Sequence, residues 1–85
     1  MRERLIHHRL TGVHMHIAIL LFDHMTALDA IGPYEVLGRV PGAEIAFVAP
    51  EPGIKRTDQG LGLVADVALA DMPRPDIVVI PGGPG

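Results

Sequence analysis

An α/β fold built on an open, mostly parallel sheet is predicted by three observations. Three aliphatic blocks, 16–22, 44–49 and 76–80, run without polar alternation, as strands buried on both faces do. Between the first two blocks lies a segment whose apolar residues recur at helical spacing. Ten Gly and eight Pro punctuate the boundaries between these blocks. The order strand, helix, strand, extended arm, strand is the order of a sheet whose parallel strands need crossover connections.

Residues 1–14 are polar, rich in Arg and His, and have no clean period, so they read as a loose N-terminal extension. His16 to Phe22 is the first buried strand, and Asp23-His24-Met25 is its connection onward. Thr26 is placed to cap a helix, with Asp29 three residues on in a variant of the capping box. The helix is expected from Ala27 to Arg39, with Leu28, Ile31, Tyr34 or Glu35, and Leu37 on its apolar side, and Pro41-Gly42 ends it. Glu44 to Ala49 is the second strand. A turn-rich stretch follows, with a short strand near Ile54 to Arg56 and an extended piece or hairpin arm over Leu61 to Leu69. Asp71 to Pro75 is a connector whose two prolines exclude regular helix. Asp76 to Ile80 is a third buried strand, running straight into Pro81-Gly82-Gly83-Pro84-Gly85.

The 85 residues allow at most one domain. With 48% hydrophobic and 20% charged residues the chain is able to build a core, and with two Phe, one Tyr and no Trp that core must be aliphatic. One helix cannot cover both faces of a parallel sheet, so the stretch is expected to be incomplete or to need a partner. The net charge is -3, and the seven Lys and Arg are dispersed apart from Arg2, Arg4 and Arg9, so this segment is no nucleic-acid reader. The longest apolar run, Ile17 to Phe22, is far below the ~20 residues of a membrane span and short of a signal core. No membrane partner is therefore expected, and the cytoplasm is the expected location. Cysteine is absent, which removes both a disulfide framework and a thiol nucleophile from these residues.

Asp29 is the residue with the most chemistry in its position. A carboxylate in the first turn of a helix lies in the field of the helix N-terminus, which favours the anion. It also follows the carboxyl end of the first strand, where open α/β sheets keep their sites. Gly32-Pro33 downstream should distort the helix beside it, because Pro33 has no N–H to give the Asp29 carbonyl, at a cost of about 3 kcal/mol. From spacing alone, a simple capping role and a reactive role for Asp29 both stand.

The segment IAILLFDHMTALDAIGPYEVL (17–37), continued by FVAPEPGIKRTDQGLGLVADVALAD and DIVVIPGGPG, resembles the opening of DJ-1/PfpI superfamily proteins. The likeness covers 15–85 and is nearest to isonitrile hydratases and to the amidotransferase-like domains of some AraC-type regulators. It implies the N-terminal, incomplete part of a flavodoxin-like, mostly parallel sheet sandwich. It implies that Asp29 is the general acid/base of an isonitrile hydration giving an N-substituted formamide, acting with a cysteine at a strand-to-helix elbow. That cysteine is not in this sequence, so the chain alone is expected to be inactive. The alternative implied by the same likeness is a small-ligand sensor domain of an AraC-type regulator. A third reading is a non-catalytic remnant that pairs with another chain. A small-molecule substrate or ligand is the expected partner, and because relatives are commonly dimers, a homodimer stays open.

Gly82 and Gly83 follow a buried strand, where paired glycines turn backbone amides toward a ligand or make a plain tight turn. The resemblance implies an oxyanion-binding loop, with Gly83 at the amide-donating position. No Lys or Ser follows, which excludes a P-loop. Gly60-Leu61-Gly62-Leu63-Val64-Ala65 fits a loose dinucleotide pattern but opens no helix, so no cofactor is expected. His7-His8 and His14-x-His16 could bind a metal, but no carboxylate or third ligand is evident nearby, and no metal is expected. His24 lies near the site after the first strand and reads as an exposed loop residue. Tyr34 is expected to pack and Glu35 to face polar surroundings.

Overall fold

A computed structural model describes residues 14–83. Most of the N-terminal extension, His7-His8, Pro84 and Gly85 lie outside the described residues. The elements are β1 (Met15–Leu20), α1 (Ala27–Leu37), β2 (Ala43–Ala49), β3 (Gly53–Arg56), β4 (Gly62–Ala65), β5 (Val67–Ala68), a single 3-10 turn (Leu69–Asp71) and β6 (Ile77–Val79).

The main sheet has the order β5-β2-β1-β6 and all its pairings are parallel. β1 lies inside it, with Ile17 beside Ile45 and Ile77, Ala18 beside Ala46 and Val78, and Ile19 beside Phe47 and Val79. That placement explains the unbroken apolar run: Ile17, Ala18 and Ile19 are each 0% exposed, because a strand paired on both edges and covered on both faces has no water-facing position. The core grows around Ile17, Ile19, Leu21, Met25, Ala30, Ala49 and Ala65, with Phe47, Ile45, Leu37, Leu63 and Val79 packed against it. β3 and β4 form a separate antiparallel hairpin in which Ile54 faces Val64 and Lys55 faces Leu63.

Several boundaries differ from the sequence reading. β1 stops at Leu20 rather than Phe22, although the Leu21 N–H still reaches the Val48 carbonyl at 2.8 Å. α1 stops at Leu37 rather than Arg39, because the N–H groups of Arg39 and Val40 donate to the carbonyls three residues back and tighten the chain out of the helix. The buried face of α1 is also different. Leu28 is 72% exposed and Ala30 is the buried residue, so the helix presents its small side chain to the sheet and turns Leu28 and Val36 outward. Tyr34 packs its ring 5.4 Å from Phe47, and Glu35 lies 3.6 Å from Arg39 on the outer side. The helix runs unbroken through Pro33.

The expected arm over 61–69 divides in two. β4 pairs with β3, whereas β5 crosses to the main sheet, led by the Asp66 N–H donating to the Phe47 carbonyl at 3.1 Å. β6 is not the doubly buried strand its composition suggested. Among the described residues it pairs only with β1, so Val78 is 51% and Ile80 69% exposed. Among the described residues, no helix is long and apolar enough to cross a membrane.

Candidate active site

Three loops meet at the carboxyl end of β1: residues 21–26 after β1, the tip of the β3–β4 hairpin, and residues 80–83 after β6. β1 and β6 are parallel neighbours, so both deliver their following loops to the same edge of the sheet. The packed Met25 side chain anchors the first loop in the core, and buried Pro81 does the same for the last.

The decisive contact joins the two sequence motifs. The Gly82 N–H donates to Asp29 Oδ2 at 3.0 Å, and the Gly82 carbonyl accepts the Thr26 N–H at 2.8 Å. Thr26 occupies the N-cap position with an extended backbone, but its side chain makes no capping hydrogen bond. The capping-box expectation is therefore corrected: the carboxylate of Asp29 takes an amide from a loop 53 residues later, and the Thr26 N–H goes to the Gly82 carbonyl. Asp29 is exposed, sits in the first turn of α1, and so lies in the positive field of the helix N-terminus as well.

The glycines of the loop have separate duties. A Cβ on Gly82 would stand 3.1 Å from Asp29 Oδ2, which is tight but opposite a side-chain atom. A Cβ on Gly83 would stand 2.6 Å from the His24 carbonyl oxygen and 2.9 Å from Met25 Cα. Only glycine fits there, because both obstacles are backbone. With both its backbone groups engaged, Gly82 holds Asp29 in place, and Gly83 packs against the loop after β1.

His24 carries a left-handed backbone, φ 73°. His is one of the residue types that tolerates this region, at a cost on the order of 1 kcal/mol. The turn is held by the hairpin: the His24 N–H donates to the Arg56 carbonyl at 2.7 Å, the Arg56 N–H donates to Asp23 Oδ1 at 2.9 Å, and the Asp58 N–H donates to the Met25 carbonyl at 2.8 Å. Asp23, Arg56 and Asp58 had no signal in the sequence that tied them to Asp29. Contact across 33 residues, as between Asp23 and Arg56, is invisible to local spacing.

Gly32 and Pro33 sit on the following turn of α1, beyond Asp29. The dinucleotide-like run 60–65 forms the hairpin tip and β4, with no helix after it. His14 and His16 do have a carboxylate beside them, contrary to the sequence reading: Glu44, opposite His16 on β2, lies 3.1 Å from His14 Nδ1 and 3.7 Å from His16 Nδ1. Among the described residues, no three metal-ligating side chains converge on one point. Two clefts, of about 370 and 290 Å³, lie away from Asp29, the first against Tyr34, Arg39 and Ile45 and the second against His16, Glu44 and Asp71.

Comparison with known proteins identifies the family and the fold. The model of the DJ-1/PfpI family matches residues 15–85. An isonitrile hydratase of Pseudomonas putida is 32% identical over 71 residues, a stretch that makes up 84% of this chain and 31% of that protein. The crystal structure of a ThiJ/PfpI family protein from Pseudomonas syringae superposes with a TM-score of 0.78 at 32% identity, covering 84% of this chain and 30% of the other. An AraC family transcriptional regulator from Pseudomonas putida shares the fold with a TM-score of 0.55 at 22% identity, over 81% of this chain and 47% of its own.

Proposed function

The chain belongs to the DJ-1/PfpI family, and from that premise we propose that it carries the acid-bearing part of an isonitrile hydratase-like site. The observation that supports this reading most is the 3.0 Å bond between the Gly82 amide and Asp29 Oδ2, which makes one site of the two motifs. Similarity to the Pseudomonas putida isonitrile hydratase supports the choice of reaction.

In this reading, hydration forms a C–O bond at the isonitrile carbon and delivers one proton to that carbon and one to nitrogen, giving an N-substituted formamide. Asp29 as carboxylate takes a proton from the adding nucleophile, and as carboxylic acid returns it to the substrate. The Gly82 bond holds the carboxylate in the position from which it accepts the first proton. In the same reading, and as the family resemblance implies, the Gly83 amide stabilises negative charge as it develops. The sequence contains no cysteine, so a thiol that adds to the isonitrile carbon, and that water then displaces to leave the C–O bond, would come from outside these 85 residues. A cytoplasmic location accompanies the proposal.

The chain spans 31% of the length of its isonitrile hydratase relative, and the test takes account of that. Residues 15–85 are grafted in place of the corresponding stretch of the Pseudomonas putida enzyme, and formamide production is measured for the graft and its Asp29→Asn variant. Turnover that falls by about 10²-fold or more on D29N is the expected result. Equal turnover in the two would end the acid/base assignment. The isolated chain should show no turnover above buffer.

A small-ligand sensor role, as in an AraC-type regulator, uses the same fold, but a likeness at 22% identity speaks for fold alone. Binding without turnover by the graft would favour it.

A further inference from the structure

The loop between β1 and α1 is clamped from both sides. On the side of the hairpin, two consecutive loop residues occupy both backbone groups of Arg56: Asp23 Oδ1 accepts its N–H at 2.9 Å, and the His24 N–H donates to its carbonyl at 2.7 Å. The carboxylate of Asp23 thus stands in for the backbone acceptor that a neighbouring strand would have offered. The Asp58 N–H adds a third bond, to the Met25 carbonyl at 2.8 Å. On the opposite side, Gly83 rests against the His24 carbonyl and Met25 Cα too closely for any side chain. From that seat the Thr26 N–H holds the Gly82 carbonyl, and the Gly82 N–H holds Asp29.

We propose that Asp23 is a positioning residue for the Asp29 site. By accepting the Arg56 N–H it fixes the left-handed His24 turn on the hairpin. That turn is the surface on which Gly83 lies, and the Gly82–Asp29 distance follows from it. The hairpin is in this view a brace for the site, with Asp23 as the contact that transmits it. Removing the acceptor frees the turn to relax its backbone, and the glycine loop loses its fixed seat. The inference builds on the reading of Asp29 as the reacting acid, but what it predicts is a geometry that can be measured without turnover.

The test is amide hydrogen exchange, residue by residue, on the isotopically labelled chain and its Asp23→Ala and Asp23→Asn variants. In D23A the amides of Gly82 and Thr26 should exchange about tenfold faster, the scale of one lost bond to a charged acceptor. The amides of Ile17, Ile19 and Val48 should keep their parent rates. D23N, whose side-chain carbonyl still accepts the Arg56 N–H, should restore the protection of Gly82. The proposal is overturned if Gly82 and Thr26 exchange in D23A as they do in the parent. It is overturned equally if they quicken only in step with Ile17 and Val48, or if D23N behaves as D23A does. A graft in which D29N has no effect on turnover would remove the catalytic reading alone, because these exchange rates are independent of it.

Discussion

Asp29 and Gly82 are joined by a hydrogen bond of 3.0 Å that spans 53 residues of chain. The two residues are brought together by a single parallel pairing, β1 with β6, which sends the chain out of both strands at the same edge. Each of the two motifs is ordinary when taken alone. An acid in the first turn of a helix is a common stabilising device, and a glycine pair after a strand is a common turn. Their contact converts the acid from a cap into a held carboxylate, and the next residue, Gly83, seats the glycine loop against the turn after β1.

The two glycines should therefore respond differently to the same substitution. In Gly83→Ala the new methyl would stand 2.6 Å from a backbone oxygen, and neither partner is able to swing away. A loss of about 1–3 kcal/mol is expected, as for an overpacked site. In Gly82→Ala the nearest atom is the Asp29 carboxylate at 3.1 Å, which can rotate. The loss there should be smaller, but the Gly82 amide resonance should move as its acceptor shifts. Urea denaturation of both variants measures the order, and a G82A variant less stable than G83A would contradict the geometry.

His24 offers a test of backbone strain. Its φ of 73° suits Gly and is tolerated by His, but it crowds a β-branched residue. His24→Val should destabilise by about 1–2 kcal/mol. His24→Gly should be close to neutral, since relief of strain offsets the greater freedom of glycine in the unfolded chain. Thermal melts of the two variants in the same buffer decide the matter, and equal melting temperatures would show that the turn relaxes on substitution.

How far the sequence reveals this fold depends on whether the cause is local. The strands at 15–20 and 43–49 and the helix from Ala27 were legible because the strands are short unbroken apolar runs bounded by turn residues, and the helix follows a capping residue with apolar residues near helical spacing. The parallel sheet followed from the same pattern. The exposure of Ile77, Val78 and Ile80 was not legible, because composition reports what a strand can tolerate and not what covers it. The split of 61–69 between two sheets turns on Asp66 meeting the Phe47 carbonyl, a contact set by tertiary packing. At the site, Asp29 and the glycine pair were legible as types in context, and the resemblance to a family added their roles. Asp23, Arg56 and Asp58 were not, since their part is played by backbone groups and by a carboxylate that reads as any loop acid.

Burial gives a contrast between two neighbouring strands. Ala18 and Val78 are register partners, yet β1 is enclosed and β6 is an edge among the described residues. Truncating an enclosed side chain, as in Ile17→Ala, should cost about 2–5 kcal/mol, transfer and cavity terms together. Val78→Ala, half in water already, should cost less than about 1 kcal/mol. Chemical denaturation of the two variants gives both values, and a V78A loss as large as that of I17A would mean that another surface covers β6 in solution.

The far end of β6 is set by Asp76, at the opposite end of the strand from the site. Asp76 Oδ2 accepts the His16 N–H at 2.8 Å, while the Asp76 N–H donates to the His16 carbonyl at 2.7 Å. One residue thus closes a reciprocal pair with His16 before the regular ladder begins. Because β6 has so few residues of its own, this clamp fixes the register that carries Gly82 to Asp29. Asp76→Ala should lose about 1 kcal/mol of stability from the missing acceptor, while Asp76→Asn keeps an oxygen in place and should lose less. The informative readout is the Gly82 amide. If register transmits the effect, its protection should fall in D76A along with that of His16, at the two ends of the strand pair. Loss at His16 with Gly82 unchanged would show that the glycine loop is seated by the loop after β1 alone.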